Sequence, residues 1–390
     1  MNYLEKLLKG VEIEWKTLGD EDFAEIANSG RRPVKASERI SGNIPYYGAN
    51  NIQDYVDGFT HDGTYVLIAE DGTASIENYS IQWATGKFWA NNHVHVLRGI
   101  GPLNSRFLHH YLRSVNFIPF LSGGDRAKLT KGKLVEIPIP IPPPSVQKKI
   151  VRILDAFTEL TAELTAELTA RKKQYNYYRE QLYCFDKNVV QHLPMGDESI
   201  GVFQRGKRFV KDDITSNGVP CIHYGEMYTH YGTWADKTKS FISEELVKRK
   251  NLRIAEKGEV VIVAAGETIV DIGIGTAWLG NEGVVIHDAC FSYKSQLNPK
   301  FVAYFTHTKQ FHDQIKKHIS SGKISSINAK GLGKVLIPIP SLEEQERIVS
   351  ILDKFDTLTA SISEGLPKEI ELRKKQYEYY RNMLLTFPIG

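Results

Sequence analysis

Two stretches of the chain carry apolar residues at steps of three and four, the spacing of one face of an α-helix. In the first, Ile150, Ile153, Leu154, Phe157, Leu160, Leu164 and Leu168 lead on to Tyr175, Tyr178 and Leu182. In the second, Ile348, Ile351, Leu352, Phe355, Leu358, Ile362 and Ile370 lead on to Tyr377, Tyr380 and Leu384. The first predicts an unbroken helix of roughly 35 residues, or ~50 Å. Gly365-Leu366-Pro367 interrupts the second and predicts a bend or break, since proline removes a helical hydrogen bond and clashes with the preceding turn. Neither stripe has a surface of its own to bury it, so the two matched helices are expected to pack as an antiparallel coiled coil.

Elsewhere the pattern changes to short β-branched and aromatic runs between Gly, Asp and Asn turns: Tyr65–Ala69, His93–Leu97, Glu259–Ala264 and Val284–Ile286. Helices are expected at Ser105–Val115 and Pro299–His318, and the proline-rich stretch Pro138–Pro144 reads as a stiff, extended entry to the first long helix. The expected fold class is α+β. Two globular α/β segments, 1–145 and 186–341, each precede a helical segment, 146–185 and 342–387.

The helical segments are two copies of one sequence. Ile150-Val151-Arg152-Ile153-Leu154-Asp155-Ala156-Phe157 matches Ile348-Val349-Ser350-Ile351-Leu352-Asp353-Lys354-Phe355. Arg171-Lys172-Lys173-Gln174-Tyr175-Asn176-Tyr177-Tyr178-Arg179 matches Arg373-Lys374-Lys375-Gln376-Tyr377-Glu378-Tyr379-Tyr380-Arg381. The offset grows from 198 to 202 between these blocks, so the second copy is four residues longer. Each copy follows an Ile-Pro-Ile-Pro run and then a glutamine, Gln147 or Gln345. The globular segments echo each other more faintly but in the same order. Gly30-Arg31-Arg32 through Lys35 answers Gly206-Lys207-Arg208 through Lys211, and Ser122-Gly123 answers Ser321-Gly322. The first helix also holds a tandem, Thr161-Ala162-Glu163-Leu164 and Thr165-Ala166-Glu167-Leu168. Four residues advance a helix by ~6 Å, so a tetrad is a modular element of length.

This combination resembles the specificity subunit of type I restriction–modification systems, and the tandem resembles the branch of that family whose central spacer carries the tetrad. The resemblance implies two target-recognition domains, each reading half of a split site on double-stranded DNA. It further implies helices that act as a ruler and a docking platform for two methyltransferase (modification) subunits, with nuclease–translocase (restriction) subunits joining them. On that reading the chain binds no cofactor; S-adenosylmethionine, ATP and magnesium are implied for the partner subunits. A modification-only adenine methyltransferase complex, or a coiled-coil scaffold without DNA reading, remains an alternative.

Composition narrows the chemistry. Lys+Arg number 49 against 46 Asp+Glu in 390 residues, a net charge of +3, so any nucleic-acid surface must be local. The three cysteines, Cys184, Cys221 and Cys290, lie far apart with no CxxC, which argues against a disulfide framework or zinc ribbon. No apolar run approaches the ~20 residues of a membrane span, and a cytoplasmic protein is expected. There is no GxxxxGK[ST] loop, no Pro-Pro-aromatic methyltransferase stretch and no Pro-Asp dipeptide to open a nuclease site, so no catalytic residue or metal ligand is assigned. His93 and His95 share a strand face without a third ligand and read as a polar face.

Phosphate binding should show as local positive charge. Arg98, Arg106, Arg113, Arg126, Lys128, Lys131 and Lys133 face only Asp125 between 98 and 133. Lys300, Lys309, Lys316, Lys317, Lys323, Lys330 and Lys334 face only Asp313 in the matching stretch. Candidate DNA-binding residues of the first segment are Arg31, Arg32, Lys35, Tyr46, Tyr47, Asn50, Asn51, Asp71, Thr73, Ser122, Gly123, Gly124, Arg126, Lys128 and Lys131. Those of the second are Arg205, Lys207, Arg208, Lys211, His223, Tyr224, Glu267, Thr268, Lys316, Lys317, Ser321, Gly322, Lys323, Ser325, Ser326, Asn328 and Lys330. Short polar and basic side chains on glycine-bearing turns are the groups that reach base edges in the major groove. The helix residues Ile150, Leu154, Phe157, Leu160, Leu164, Leu168, Ile348, Leu352, Phe355, Leu358 and Ile362 are the candidate spacer and partner contacts.

Overall fold

A computed structural model describes residues 6–7, 10–123, 127–322, 324–361 and 364–387. The chain divides into two compact units, Met1–Thr165 with Glu369–Gly390, and Ala166–Lys368. Among the described residues no helix is long and apolar enough to cross a membrane.

The first unit is built on a six-stranded sheet in the order Ala24–Ile26, Val94–Gly99, His61–Ala69, Ile81–Ala90, Ser41–Gly48 and Asn51–Val56. Val66, Leu67, Ile68 and Ala69 are fully buried, as a continuous apolar run in a central strand requires. The helix Ser105–Leu112 packs on this sheet through Phe107, Leu108 and Leu112. Asn104 caps it, its side chain accepting from the Arg106 and Phe107 amides. The helix stops at Leu112, short of the expected Val115. Pro138–Ile141 pairs with Glu14–Thr17 in a separate two-stranded sheet, where the missing proline N–H groups interrupt no central ladder.

The second unit spreads its strands over two five-stranded sheets instead of one larger sheet. One runs Gly201–Arg205, Cys290–Ser295, Val260–Val263, Gly275–Trp278, Trp234–Ala235; the other runs Ile214–Thr215, Ser240–Ile242, Val219–Ile222, Val284–Ile286, Ile254–Ala255. The single helix expected over Pro299–His318 is two α-helices, Pro299–Thr306 and Lys309–Ile315, followed by a 3-10 turn, Lys316–His318. The break has a local cause. Thr308 bonds back to the Phe305 carbonyl at 2.7 Å and caps the next helix by accepting from the Phe311 amide at 3.2 Å.

The long helix spans Pro144–Leu182, 39 residues and ~58 Å. Its N-terminal part lies in the first unit, where Phe157 stacks on Tyr380 with ring centroids 5.1 Å apart. Its C-terminal part lies in the second, where Tyr175 and Tyr178 stack on Phe355 at 5.9 and 5.6 Å. Ile150, Leu154, Ile348 and Leu352 are buried. Phe157, Leu160, Leu164, Leu168, Phe355 and Leu358 are half-buried, while Ile362 lies outside the described residues. The second copy runs as Leu342–Thr359 and Gly365–Leu385. The interruption falls just ahead of Gly365-Leu366-Pro367. Gly365 takes φ +74, where glycine is favoured, and Pro367 enters the first turn, where proline costs no hydrogen bond.

Each helix root is tied to its own globular part by a buried glutamine. Gln147 accepts from the Asn104 amide at 2.8 Å and donates to the Pro102 and Pro142 carbonyls at 3.0 and 2.7 Å. Gln345 accepts from the Asn298 amide at 2.8 Å and donates to the Pro340 carbonyl at 2.9 Å. Asn104 and Asn298 are themselves the caps of the sheet-packed helices. About two turns on, Asp155 takes Arg106 and His110, each at 2.7 Å, and Asp353 takes Lys300 at 2.8 Å and Tyr304 at 2.7 Å. Replacing Gln345 by alanine strands a buried amide and a buried carbonyl, each worth ~1–3 kcal/mol. Chemical denaturation of Gln345→Ala and Gln147→Ala should show losses of roughly 2 kcal/mol or more, against less than about 0.5 kcal/mol for the exposed Glu163→Ala.

Candidate nucleic-acid interface

In each unit the end of a buried strand meets a distant loop through the same main-chain link. In the first, the Glu70 carbonyl accepts from the Leu129 amide at 2.7 Å. In the second, the Ala264 carbonyl accepts from the Ile327 amide at 2.8 Å. These links bring together turns that the sequence separates by dozens of residues.

On the first unit, Asp71 and Ser122 each form a β-bridge with Lys128. Asn50 joins them, donating to the Gly72 carbonyl and accepting from the Ala74 amide, both at 2.7 Å. Asn50, the 71–73 turn, Ser122 and Lys128 therefore make one surface. On the second unit, Ala265–Gly266 pairs with Ser325–Ser326. Arg208, Lys211, His223, Tyr224, Glu267 and Ile324 line one open cavity of about 390 Å³. Three candidate groups converge there as well.

Several candidates lie elsewhere. Tyr46 is 1% exposed, with its hydroxyl hydrogen-bonded to main-chain atoms of Val34, and Tyr47 is buried against Phe88, so neither reaches a ligand without unfolding. Arg31 points inward, donating to Glu70 Oε2 at 2.6 Å and to the Val94 carbonyl at 2.8 Å. Ser325 is buried, and Asn328 caps the short helix Ala329–Gly333. Arg205 donates to the Asp288 carbonyl at 3.0 Å. Arg32, Lys35, Asn51, Gly123, Lys131, Lys207, Thr268, Ser321 and Gly322 are exposed, as are Lys316, Lys317 and Lys330 on their helical turns. Thr73 hydrogen-bonds to the Ser75 carbonyl, and Ser326 bridges to Ser320. Gly124, Arg126 and Lys323 lie outside the described residues.

Part of the first basic stretch is neutralised by distant acids. Arg98 pairs with Glu25 at 2.6 Å, Arg106 with Asp155 at 2.7 Å and Lys128 with Glu70 at 3.1 Å. In the second stretch Lys300 and Lys309 pair with Asp353 and Asp313. A window of sequence counts such charges as free because their partners lie outside it or were not matched to them.

Two residues, His95 and Glu70, support the first surface from within. His95 is buried, holding the Leu129 carbonyl through Nε2 at 2.7 Å while its Nδ1 meets Asn28 Nδ2 at 2.9 Å. Burial pushes its pKa down, which keeps it neutral. Burial also disfavours the Glu70 carboxylate, but hydrogen bonds from Arg31 and Lys128 outweigh that effect and hold its pKa below the ordinary 4.5. Stability from a lowered carboxyl is complete above the unfolded pKa and is lost as pH falls through the folded one. Wild-type protein should therefore exceed Glu70→Gln in stability by a constant margin from about pH 6 to 7, and the margin should shrink below about pH 4.5. Paired thermal unfolding across that range measures it; a margin unchanged down to pH 3 contradicts the assignment.

The chain matches the family model described as the type I restriction modification DNA specificity domain twice, at residues 12–171 and 198–372. It is 49% identical over 407 residues to a putative type I restriction enzyme specificity subunit of Haemophilus influenzae, covering 99% of this chain and 98% of the relative. It is 35% identical over 421 residues to the EcoR124I/EcoR124II specificity subunit of Escherichia coli, covering 100% and 98%. The crystal structure of a type I restriction–modification S subunit from M. genitalium shares the fold at 15% identity, with a TM-score of 0.56 and 98% of each chain covered. The repeated helix, the paired glutamine ties and the doubled match agree: the chain belongs to the specificity subunits of type I restriction–modification systems, which give the complex its DNA sequence specificity.

Proposed function

We propose that each unit reads one half of a bipartite site on double-stranded DNA, and that the helices set the spacing between halves and dock two methyltransferase subunits. The observation that carries this reading is the repeated architecture, in which each unit joins a strand-end turn to a Ser-Gly loop beside exposed cations. Docking is supported by Tyr177 and Tyr379, which occupy matched places in the two helix copies and are 61% and 65% exposed. The chain itself acts without catalysis or bound cofactor. S-adenosylmethionine, ATP and magnesium serve the methyltransferase and restriction partners, and the complex works in the cytoplasm. Methylated adenines mapped across the host genome with and without this chain should reveal one split motif that depends on it; an unchanged methylation pattern contradicts the proposal.

Phosphate contacts release counterions, so each one lost lowers the log–log salt slope of binding by about one. Arg208→Ala and Lys211→Ala in the assembled complex should each flatten the slope by that amount. Unchanged slopes would make this cavity wall a solvated face.

The tetrads give the spacing a physical basis. Thr161 bonds back to the Phe157 carbonyl at 2.7 Å, and Thr165 to the Thr161 carbonyl at 2.7 Å, so each threonine is satisfied one tetrad back. Deleting Thr165–Leu168 removes ~6 Å and leaves a residual rotation of ~40°, close to the ~35° turn of one base pair. A spacer one base pair shorter, with both half-sites unchanged, is the expected result. A folded, active deletion protein that methylates at the original spacing would refute the ruler.

A further inference from the structure

We propose that Glu267 is a base-reading residue of the second unit and accepts a hydrogen bond from the exocyclic amine of a cytosine in the major groove. This rests on the reading of that unit as a DNA reader, and goes beyond it by assigning one residue to one base.

The cleft sets two cations, Arg208 and Lys211, beside two acids, Glu267 and Asp288. Asp288 is half-buried against His287, with Oδ1 3.0 Å from Nδ1. Glu267 is exposed and, among the described residues, makes no hydrogen bond or ion pair. Its backbone is anchored, because the preceding Ala265–Gly266 pairs with Ser325–Ser326 and the Ala264 carbonyl takes the Ile327 amide. The side chain thus leaves a fixed platform, which is what precise contact with a base edge requires.

The first unit handles the equivalent turn differently. There Asp71 is bound by His93 and lies 3.9 Å from Lys128 Nζ, while Glu70 is bound by Arg31 and Lys128. Its acids are neutralised from within the protein. Glu267 has no such partner, and an unpaired carboxylate facing phosphates weakens binding unless the DNA itself supplies a donor.

The chemistry of the groove then selects the base. An ionised carboxylate only accepts hydrogen bonds. The donors exposed in the major groove are the amines of cytosine N4 and adenine N6. Adenine sets its N7 acceptor beside that amine, so an amide side chain matches it and a carboxylate meets a repulsive lone pair. Cytosine offers the amine without that neighbour, and glutamate–cytosine is the matched pair.

The test uses the chain assembled with its methyltransferase subunits, with methylated-adenine mapping and competition by duplexes carrying each base pair in turn. The wild-type complex should require a C·G pair at one position of the half-site read by the second unit. Glu267→Ala should lower discrimination at that position by about tenfold or more, leaving the other half-site unchanged. Glu267→Gln should move the preference toward adenine, since an amide can serve both N6 and N7. A Glu267→Ala complex that keeps full stringency in both halves overturns the assignment, as does a wild-type half-site without cytosine. Replacing residues 186–341 with another recognition domain separates the two levels. If that exchange alters one half-site while Glu267→Ala alters nothing, only the residue assignment fails. If the exchange alters nothing, the reading of the unit itself fails.

Discussion

The structure depends on a buried glutamine used twice. Gln147 and Gln345 each sit at the root of a long helix with almost no exposed surface, where an amide is tolerated only if its hydrogen bonds are made. Both make them to the main chain just before or at the cap of the helix packed on their own sheet domain. An Asp about two turns along repeats the tie with charge, Asp155 to Arg106 and Asp353 to Lys300. A helix held this way moves with its sheet domain as one body. Its length and rotation can then be transmitted to the loops that the sheet presents, which a flexible joint would not allow.

The loops are held by a backbone link that both units share, to which the first unit adds side-chain ties from Asn50 and His95. The amide-to-carbonyl links at Leu129 and Ile327 leave the exposed side chains around them free to differ. This explains how the two units can share an assembly while diverging into one six-stranded sheet and two five-stranded sheets. It also explains why buried support such as His95 and Glu70 belongs to one unit and has no echo in the other.

What was legible in the sequence follows the range of each interaction. The long helices, their stripe and the break near Gly365 rest on spacing within a few residues, the doubling rests on direct identity between the two copies, and the helices fall close to the expected places. The role of Gln147 was hidden because its partners Pro102 and Asn104 lie more than forty residues away in the chain. The inward turn of Arg31 and the neutralisation of Arg98, Arg106 and Lys128 were hidden for the same reason, since Glu70, Glu25 and Asp155 lie outside any local window. Tyr46 and Tyr47 resembled ligand-facing aromatics on a turn, yet they lie on a strand whose alternation and bulge send both rings into protected sites. The helix expected over Pro299–His318 failed on Thr308, a residue whose side chain both ends one helix and caps the next.

The central claim is that two tied units read DNA independently. The direct measurement is the methylation motif of a complex in which residues 1–145 are replaced by the first recognition domain of another family member, with both helices and the second unit kept. The account predicts a motif altered in one half only, with the other half and the spacer intact. A motif altered in both halves, or in neither, would contradict it.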